Sequence, residues 1–245
     1  MRDPDGCGWF VADRAVRMAQ MDPRAAGEAA RERVKHLLGL ARNRVARLIF
    51  ERDLVARTDA YVPLDDELAA PGRHGHHASS WLQLRTALRG ATITADDVLV
   101  DFGSGMGRIV YVAARRYPFA RVVGVEISQR FNDVALANLE HARQRLRCQD
   151  VQIVTADATE FVVPDDMTYA YMFNPFGGEV FEAVLGNIVA SLDRRPRRLT
   201  FCYAHPLMEE AVLASGRFER VRSLRPRRPG LTPYHGRIDV FVSTA

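Results

Sequence analysis

The sequence predicts an α/β fold: a doubly wound, mostly parallel sheet of seven strands with one antiparallel strand towards its C-terminal end, preceded by an N-terminal helical extension. Three observations predict it. From Asp97 onward, short apolar runs of strand length alternate with amphipathic runs of helix length. A glycine-rich turn, Gly103-Ser104-Gly105-Met106-Gly107, joins the first strand to the first helix of that series. The chain closes on two strand-like runs joined by a Pro/Gly-rich stretch, which predicts a hairpin.

Residues 28–54 carry Val34, Leu37, Leu38, Ala41, Val45, Leu48 and Ile49 at helical spacing, an amphipathic helix with an arginine-rich outer face. Proline, glycine and polar clusters make 61–80 a loop, and Ser79 or Ser80 is placed to cap the next helix, "WLQLRTALRG", which stops at Gly90. Then come strand "VLVDF", helix "GRIVYVAARRY", strand "RVVGVEI" and a helix capped by Ser128. "VQIVTA" and "YAYMF" are the third and fourth strands, "GEVFEAVLGNIVASL" a helix, "RLTFCYA" the fifth strand and "LMEEAVLASG" a short helix. "FERVRSLRP" and "RIDVFVST" complete the sheet. Such alternation gives a Rossmann-like parallel sheet with helices on both faces. The expected division is an N-terminal helical extension at 1–60 (lid or dimer contact), a loop over the mouth of the site with a helix at 61–96, and a ligand-binding core at 97–245.

Composition narrows the function. At 245 residues with 47% apolar and 26% charged side chains, the chain has ordinary globular usage and enough length for a full core. No apolar run is long enough to span a bilayer and the first residues are too charged for a secretory signal, so a cytoplasmic protein is expected. Cys7, Cys148 and Cys202 are widely separated, which predicts free thiols. Lys35 is the only lysine among 34 basic residues, and alanine is abundant, a pattern of high-GC coding in a bacterial-type sequence. The net charge of +4 is small and dispersed, which argues against a nucleic-acid partner. The N-terminal helix suggests a homodimer contact.

In open parallel sheets, ligands sit beyond the carboxyl ends of the strands, where strand order reverses. Gly103, Gly105 and Gly107 let the backbone turn sharply there. A dinucleotide fingerprint needs a small residue three positions after Gly105, where this chain has Arg108. Asp101, just before the turn, suits a ligand ammonium and would repel a pyrophosphate. Glu126 ends the second strand, where it can accept hydrogen bonds from both hydroxyls of a ribose. A ribose and an amino acid joined in one ligand is S-adenosylmethionine (SAM). A nicotinamide-dependent oxidoreductase is the alternative from another class.

The run "VDFGSGMGR … VVGVEIS … VTADATEF … YMFNPFGG" resembles the class I SAM-dependent methyltransferases over residues 75–245. Within them, "DFGSGMGRIVYVAA" and "FNPFGGEVFEAVLGNI" look most like the non-SET histone-lysine methyltransferase group and its bacterial relatives. The resemblance implies that Asp101, Gly103, Ser104, Gly105 and Gly107 surround the methionine part and that Glu126 holds the ribose. It also implies that Asp157, with Ala158 beside it, meets the adenine amino group and that Ile127 packs on the adenine ring. No counterpart of the large eukaryotic substrate-binding regions is present, so a nucleosome substrate does not carry over.

Methyl transfer from a sulfonium is an in-line displacement that chiefly requires an aligned, desolvated acceptor. Asn174 ends the fourth strand beside the expected methyl group and borders the cofactor. Its side-chain oxygen and the Pro175 carbonyl are two acceptors for the N–H groups of an amine, which points to transfer onto an amino nitrogen of a small molecule, peptide or protein side chain. This loop resembles the Asn-Pro-Pro-aromatic loop of enzymes that methylate amino nitrogens, with one proline missing. Phe176 can cover the site or face a cation. His74, His76 and His77 lie in the mouth loop without a further ligand at metal-binding spacing, so no metal is expected. His77 as a general base serves the alternative, an O-methyltransferase. Tyr203, His205 and Tyr234 are expected near the substrate pocket.

Overall fold

The computed structural model describes residues 31, 33, 34, 37, 52–58, 61–224 and 236–244. The chain divides into two compact units, Met1–Val45 and Ala46–Ala245. Arg31, Arg33, Val34 and Leu37 are helical, and the remainder of the expected N-terminal helix up to residue 51, with its dimer contact, lies outside the described residues. Among the described residues no helix is long and apolar enough to cross a membrane.

The second unit is built on a sheet ordered β3-β2-β1-β4-β5-β7-β6. Its strands are β1 (Val98–Phe102), β2 (Arg121–Glu126), β3 (Asp150–Thr155), β4 (Tyr169–Phe173), β5 (Thr200–Ala204), β6 (Phe218–Leu224) and β7 (Ile238–Ser243). β7 runs antiparallel to both β5 and β6, and the other pairings are parallel, as the terminal hairpin predicts. The helices are α1 (Gln83–Ala87), α2 (Arg108–Arg116), α3 (Gln129–Ala142), α4 (Gly178–Arg194) and α5 (Glu209–Ala214). β1 is flanked by β2 on one side and β4 on the other, so the order reverses at β1/β4.

Alternation along β1 divides the core into two layers. Leu99 joins Leu84, Val110, Leu139 and Tyr171 on one face, while Val100 and Phe102 join Phe181, Ile188 and Phe201 on the other. Asp101 has the parity of Leu99 and therefore sits, almost fully buried, on the α2 side. Ser128 caps α3 as expected, accepting from the Phe131 amide at 3.4 Å. Helix α1 is shorter than its sequence pattern. Ser80 and Gln83 bond each other reciprocally in the preceding turn, so neither Ser79 nor Ser80 caps α1 itself. The Ser79 hydroxyl instead accepts from the Tyr171 hydroxyl at 3.4 Å. Cys148 and Cys202 are free and buried, and Cys7 lies outside the described residues.

Candidate active site

The glycine-rich turn leaves β1 through three left-handed residues, Gly103 (φ 71°), Gly105 (φ 53°) and Gly107 (φ 75°). The Gly103 and Ser104 amides donate to the Val125 carbonyl, and the Gly105 amide donates to Glu126 Oε2 at 2.9 Å, tying the turn to β2. Side chains at these glycines are excluded by protein neighbours. A Cβ on Gly103 would strike Pro175, one on Gly105 would strike His76 Nδ1, and one on Gly107 would lie 2.6 Å from the Ala135 Cβ. The expected room for a ligand is thus bounded by the loop after β4 and by the mouth segment.

A cavity of about 480 Å³ opens above the carboxyl ends of β1, β2 and β4, a volume typical of small-molecule sites. Three carboxylates face it. Among the described residues no protein donor reaches Asp101, and burial, reinforced by the nearby Glu126 charge, pushes its carboxyl well above the usual range. Glu126 is fixed by two backbone donors, Gly105 on Oε2 and Ser128 on Oε1 at 3.0 Å, yet burial outweighs them and raises its pKa. Asp157 behaves oppositely. Against the upward pull of burial, the Thr159 amide and the Arg73 guanidinium hold its carboxyl below the ordinary value.

Residues 61–77 cross the mouth. Val62 and His76 form an antiparallel bridge, and Arg73 pairs with Phe176 in another. The His74 amide donates to the Pro175 carbonyl at 3.3 Å, and His74 Nδ1 donates to the Asn174 carbonyl at 3.0 Å. Arg73 forms an ion pair with Asp157, so the carboxylate expected to meet adenine is engaged by the mouth segment. The Arg130 guanidinium, on α3, holds the same segment through Asp65 and the Pro63 carbonyl.

Residues 79–170 match the family model described as Histone methylation protein DOT1. A protein-lysine N-methyltransferase of Saccharolobus islandicus is 40% identical over 57 residues, a stretch that spans 23% of this chain and 35% of that relative. A methyltransferase from Pyrococcus furiosus superposes with a TM-score of 0.55 at 12% identity, covering 85% of this chain and 97% of its own. A glycopeptide N-methyltransferase complexed with SAM superposes with a TM-score of 0.53 at 12% identity, covering 75% of this chain and all of its own (100%). These superpositions show the fold: the chain shares the α/β fold of these methyltransferases. The seven-stranded order with β7 reversed is the sheet of that fold here.

Within this methyltransferase fold, Asp101, Gly103, Ser104, Gly105, Glu126, Ile127, Asp157, Ala158, Asn174, Pro175, Phe176, His77 and His205 all line one cavity. Gly107 does not; it is the N-cap of α2 and lets Ala135 of α3 pack against the turn. Tyr203 also lies behind the cavity wall, where its hydroxyl donates to Asn174 Oδ1 at 3.1 Å. Tyr234 lies outside the described residues. Ser104 lines the cavity, but its Oγ is buried against Gly124 without a hydrogen-bond partner among the described residues. His77 packs its ring on Tyr61, centroids 4.5 Å apart. Among the described residues no cluster of potential metal ligands occurs.

Two non-glycine residues among those described have positive φ, Asn174 (42°) and His205 (52°), and both line the cavity at the ends of adjacent strands β4 and β5. Left-handed backbone at such residues is sparse and concentrates at functional sites. Among the cavity residues to which the sequence reading gave no ligand role are Arg73, His76 and Arg108. Arg108, read only as an obstacle to a dinucleotide, is a buried cation held by Thr58 Oγ1 and the Ser79 carbonyl, each at 2.8 Å, and stacked on Trp81. Its position next to the third glycine was the available signal.

Proposed function

We propose that this chain binds SAM and transfers its methyl group to an amino nitrogen of a small molecule or of a peptide or protein side chain. The observation that carries the reading is Asp101: a buried carboxylate facing the cavity, with no described protein donor, one strand from a Glu126 fixed by backbone amides. A buried carboxylate without a partner is costly, and a ligand ammonium removes that cost. Glu126, with the Gly105 amide on Oε2 and the Ser128 amide on Oε1, would offer its remaining lone pairs to the ribose hydroxyls. Asp157 would take the adenine amino group by exchange with Arg73. Bound SAM supplies an electrophilic methyl carbon on a cationic sulfur.

The chain's own contribution is acceptor placement. Asn174 Oδ1 takes the Tyr203 proton and the Pro175 carbonyl takes the His74 amide, leaving one lone pair on each oxygen for acceptor N–H groups. Phe176, paired through its backbone to Arg73, helps close the site against water. The likeness to a protein-lysine N-methyltransferase favours a lysine side chain as acceptor.

Calorimetry with SAM, S-adenosylhomocysteine and NADH tests the cofactor. Heat with the first two and none with the third is expected, and the reverse sinks the reading. Transfer of label from methyl-tritiated SAM to poly-L-lysine then tests the acceptor class; labelling of hydroxyl compounds alone would move the assignment to oxygen.

A further inference from the structure

The mouth segment brings an imidazole to the glycine turn that the cofactor assignment leaves unused. His76 Nε2 lies 3.2 Å from the Thr58 carbonyl oxygen. A carbonyl only accepts, so Nε2 carries the proton, and in a neutral ring Nδ1 then holds a lone pair. Nδ1 lies directly over Gly105, so close that a Cβ there would collide with it. His76 and Gly105 both line the cavity, and no described protein group bonds Nδ1. Gly105 belongs to the stretch assigned to the methionine half of the ligand, with Asp101 on the strand that feeds it.

We infer that His76 is a cofactor-binding residue whose Nδ1 accepts a hydrogen bond from the α-ammonium of the cofactor's methionine half, alongside the Asp101 carboxylate. The inference rests on the SAM reading above and adds to it an acceptor supplied by the mouth segment rather than by the sheet. The ring is held in the state this requires. Burial, with the Arg108 and His77 charges adding to it, outweighs the Thr58 hydrogen bond and lowers the pKa of His76 to about 4, so the imidazole is neutral at ordinary pH. Thr58 is a shared anchor: its carbonyl orients His76 while its hydroxyl accepts from Arg108 Nε. The guanidinium is thereby held on Trp81 and Ser79 as the imidazole faces Gly105. Because His76 also bridges Val62, an ammonium on Nδ1 would link cofactor binding to the strand-like pairing that closes the mouth.

The test compares S-adenosylhomocysteine with 5′-methylthioadenosine. Both are thioethers of adenosine, and only the first carries the ammonium. In His76→Gln the side-chain amide can still donate to the Thr58 carbonyl, but the Nδ1 lone pair is gone. Calorimetry should show S-adenosylhomocysteine bound about tenfold or more weakly, as for loss of a hydrogen bond to a charged group, with methylthioadenosine unchanged. Equal weakening of both ligands, or no change in either, overturns the inference while leaving the cofactor reading intact. Failure of the unmutated protein to bind either ligand overturns both. Should His76→Gln not fold, imidazole ¹⁵N spectra of the unmutated protein decide. A bare-nitrogen resonance must shift with S-adenosylhomocysteine and stay in place with methylthioadenosine.

Discussion

The Tyr203 hydroxyl donates to Asn174 Oδ1 at 3.1 Å while accepting from the Met208 amide at 3.3 Å. Its ring is fully buried, with Phe181 and Phe201 centroids 5.3 and 5.5 Å away, and burial pushes the phenol up to about 12. The phenol therefore keeps its proton, and that proton is committed to Asn174. The amide of a residue at φ 42° is thus oriented from behind by a neighbouring strand.

Tyr203→Phe keeps the aromatic stack and removes that control. Unfolding free energy should fall by about 1 kcal/mol, the usual net value of one hydrogen bond. SAM affinity should hold. Single-turnover transfer to poly-L-lysine should slow by about ten- to a hundredfold, the scale of losing acceptor alignment. Unchanged transfer would show that Asn174 needs no orienting partner.

Gly107 makes a separate prediction, for stability. An alanine there must adopt φ 75° and place its Cβ 2.6 Å from that of Ala135. Left-handed strain of about 1–2 kcal/mol adds to overpacking of about 1–3 kcal/mol. Urea unfolding of Gly107→Ala should show a lower midpoint with the same slope, corresponding to a loss of about 2–5 kcal/mol. A loss below about half a kcal/mol would mean that α3 yields freely.

Ser104 behaves differently from its neighbours in the turn. Its buried Oγ has no described partner and faces Gly124, where a Cβ would lie 2.8 Å away. Ser104→Ala removes an unsatisfied hydroxyl, so stability should hold or rise by up to about 1 kcal/mol. Affinity for SAM should stay within about twofold, because an interaction worth less than a hydrogen bond is being removed. A large loss of affinity would return Ser104 to the ligand shell that its place in the motif suggests.

The strands, their order of helices and the three acids were legible because each depends on local pattern: period-two apolar runs, a glycine turn, and acids where strands end. Tertiary proximity was not. Nothing in the spacing of Thr58, His76 and Arg108 reveals that one threonine anchors both, or that Arg73 reaches Asp157 across the mouth. Tyr203, expected near the substrate pocket, lies within β5 behind the cavity wall; strand alternation alone could not tell a residue facing substrate from one facing Asn174. Gly107 fitted the motif for a reason outside it, the approach of α3. Motif position thus located the cavity, whereas the division of labour among its residues depends on which neighbour each atom meets.

His76 also predicts how stability responds to acid. Its pKa is about 4 in the folded protein against an ordinary 6.5, chiefly through burial. Above pH 6.5 the ring is neutral in both states and contributes no pH dependence. Between 6.5 and 4 the unfolded chain takes up a proton that the folded ring refuses, so stability falls as pH falls. Below 4 both states are protonated and the loss stops growing. A shift of that size corresponds to about 3 kcal/mol. Asp101 and Glu126 work in the opposite sense, because their raised pKa values let the folded protein hold protons the unfolded chain has released. A profile of the unmutated protein alone would therefore mix opposing slopes. The difference between the unmutated protein and His76→Gln removes the shared carboxylates to first order. Chemical unfolding at pH 7 and pH 4 should show that difference moving by about 3 kcal/mol in favour of the variant at the lower pH. A difference that stays flat would mean that His76 titrates as it does in the unfolded chain, and the neutral-ring argument for its Nδ1 lone pair would lose its support.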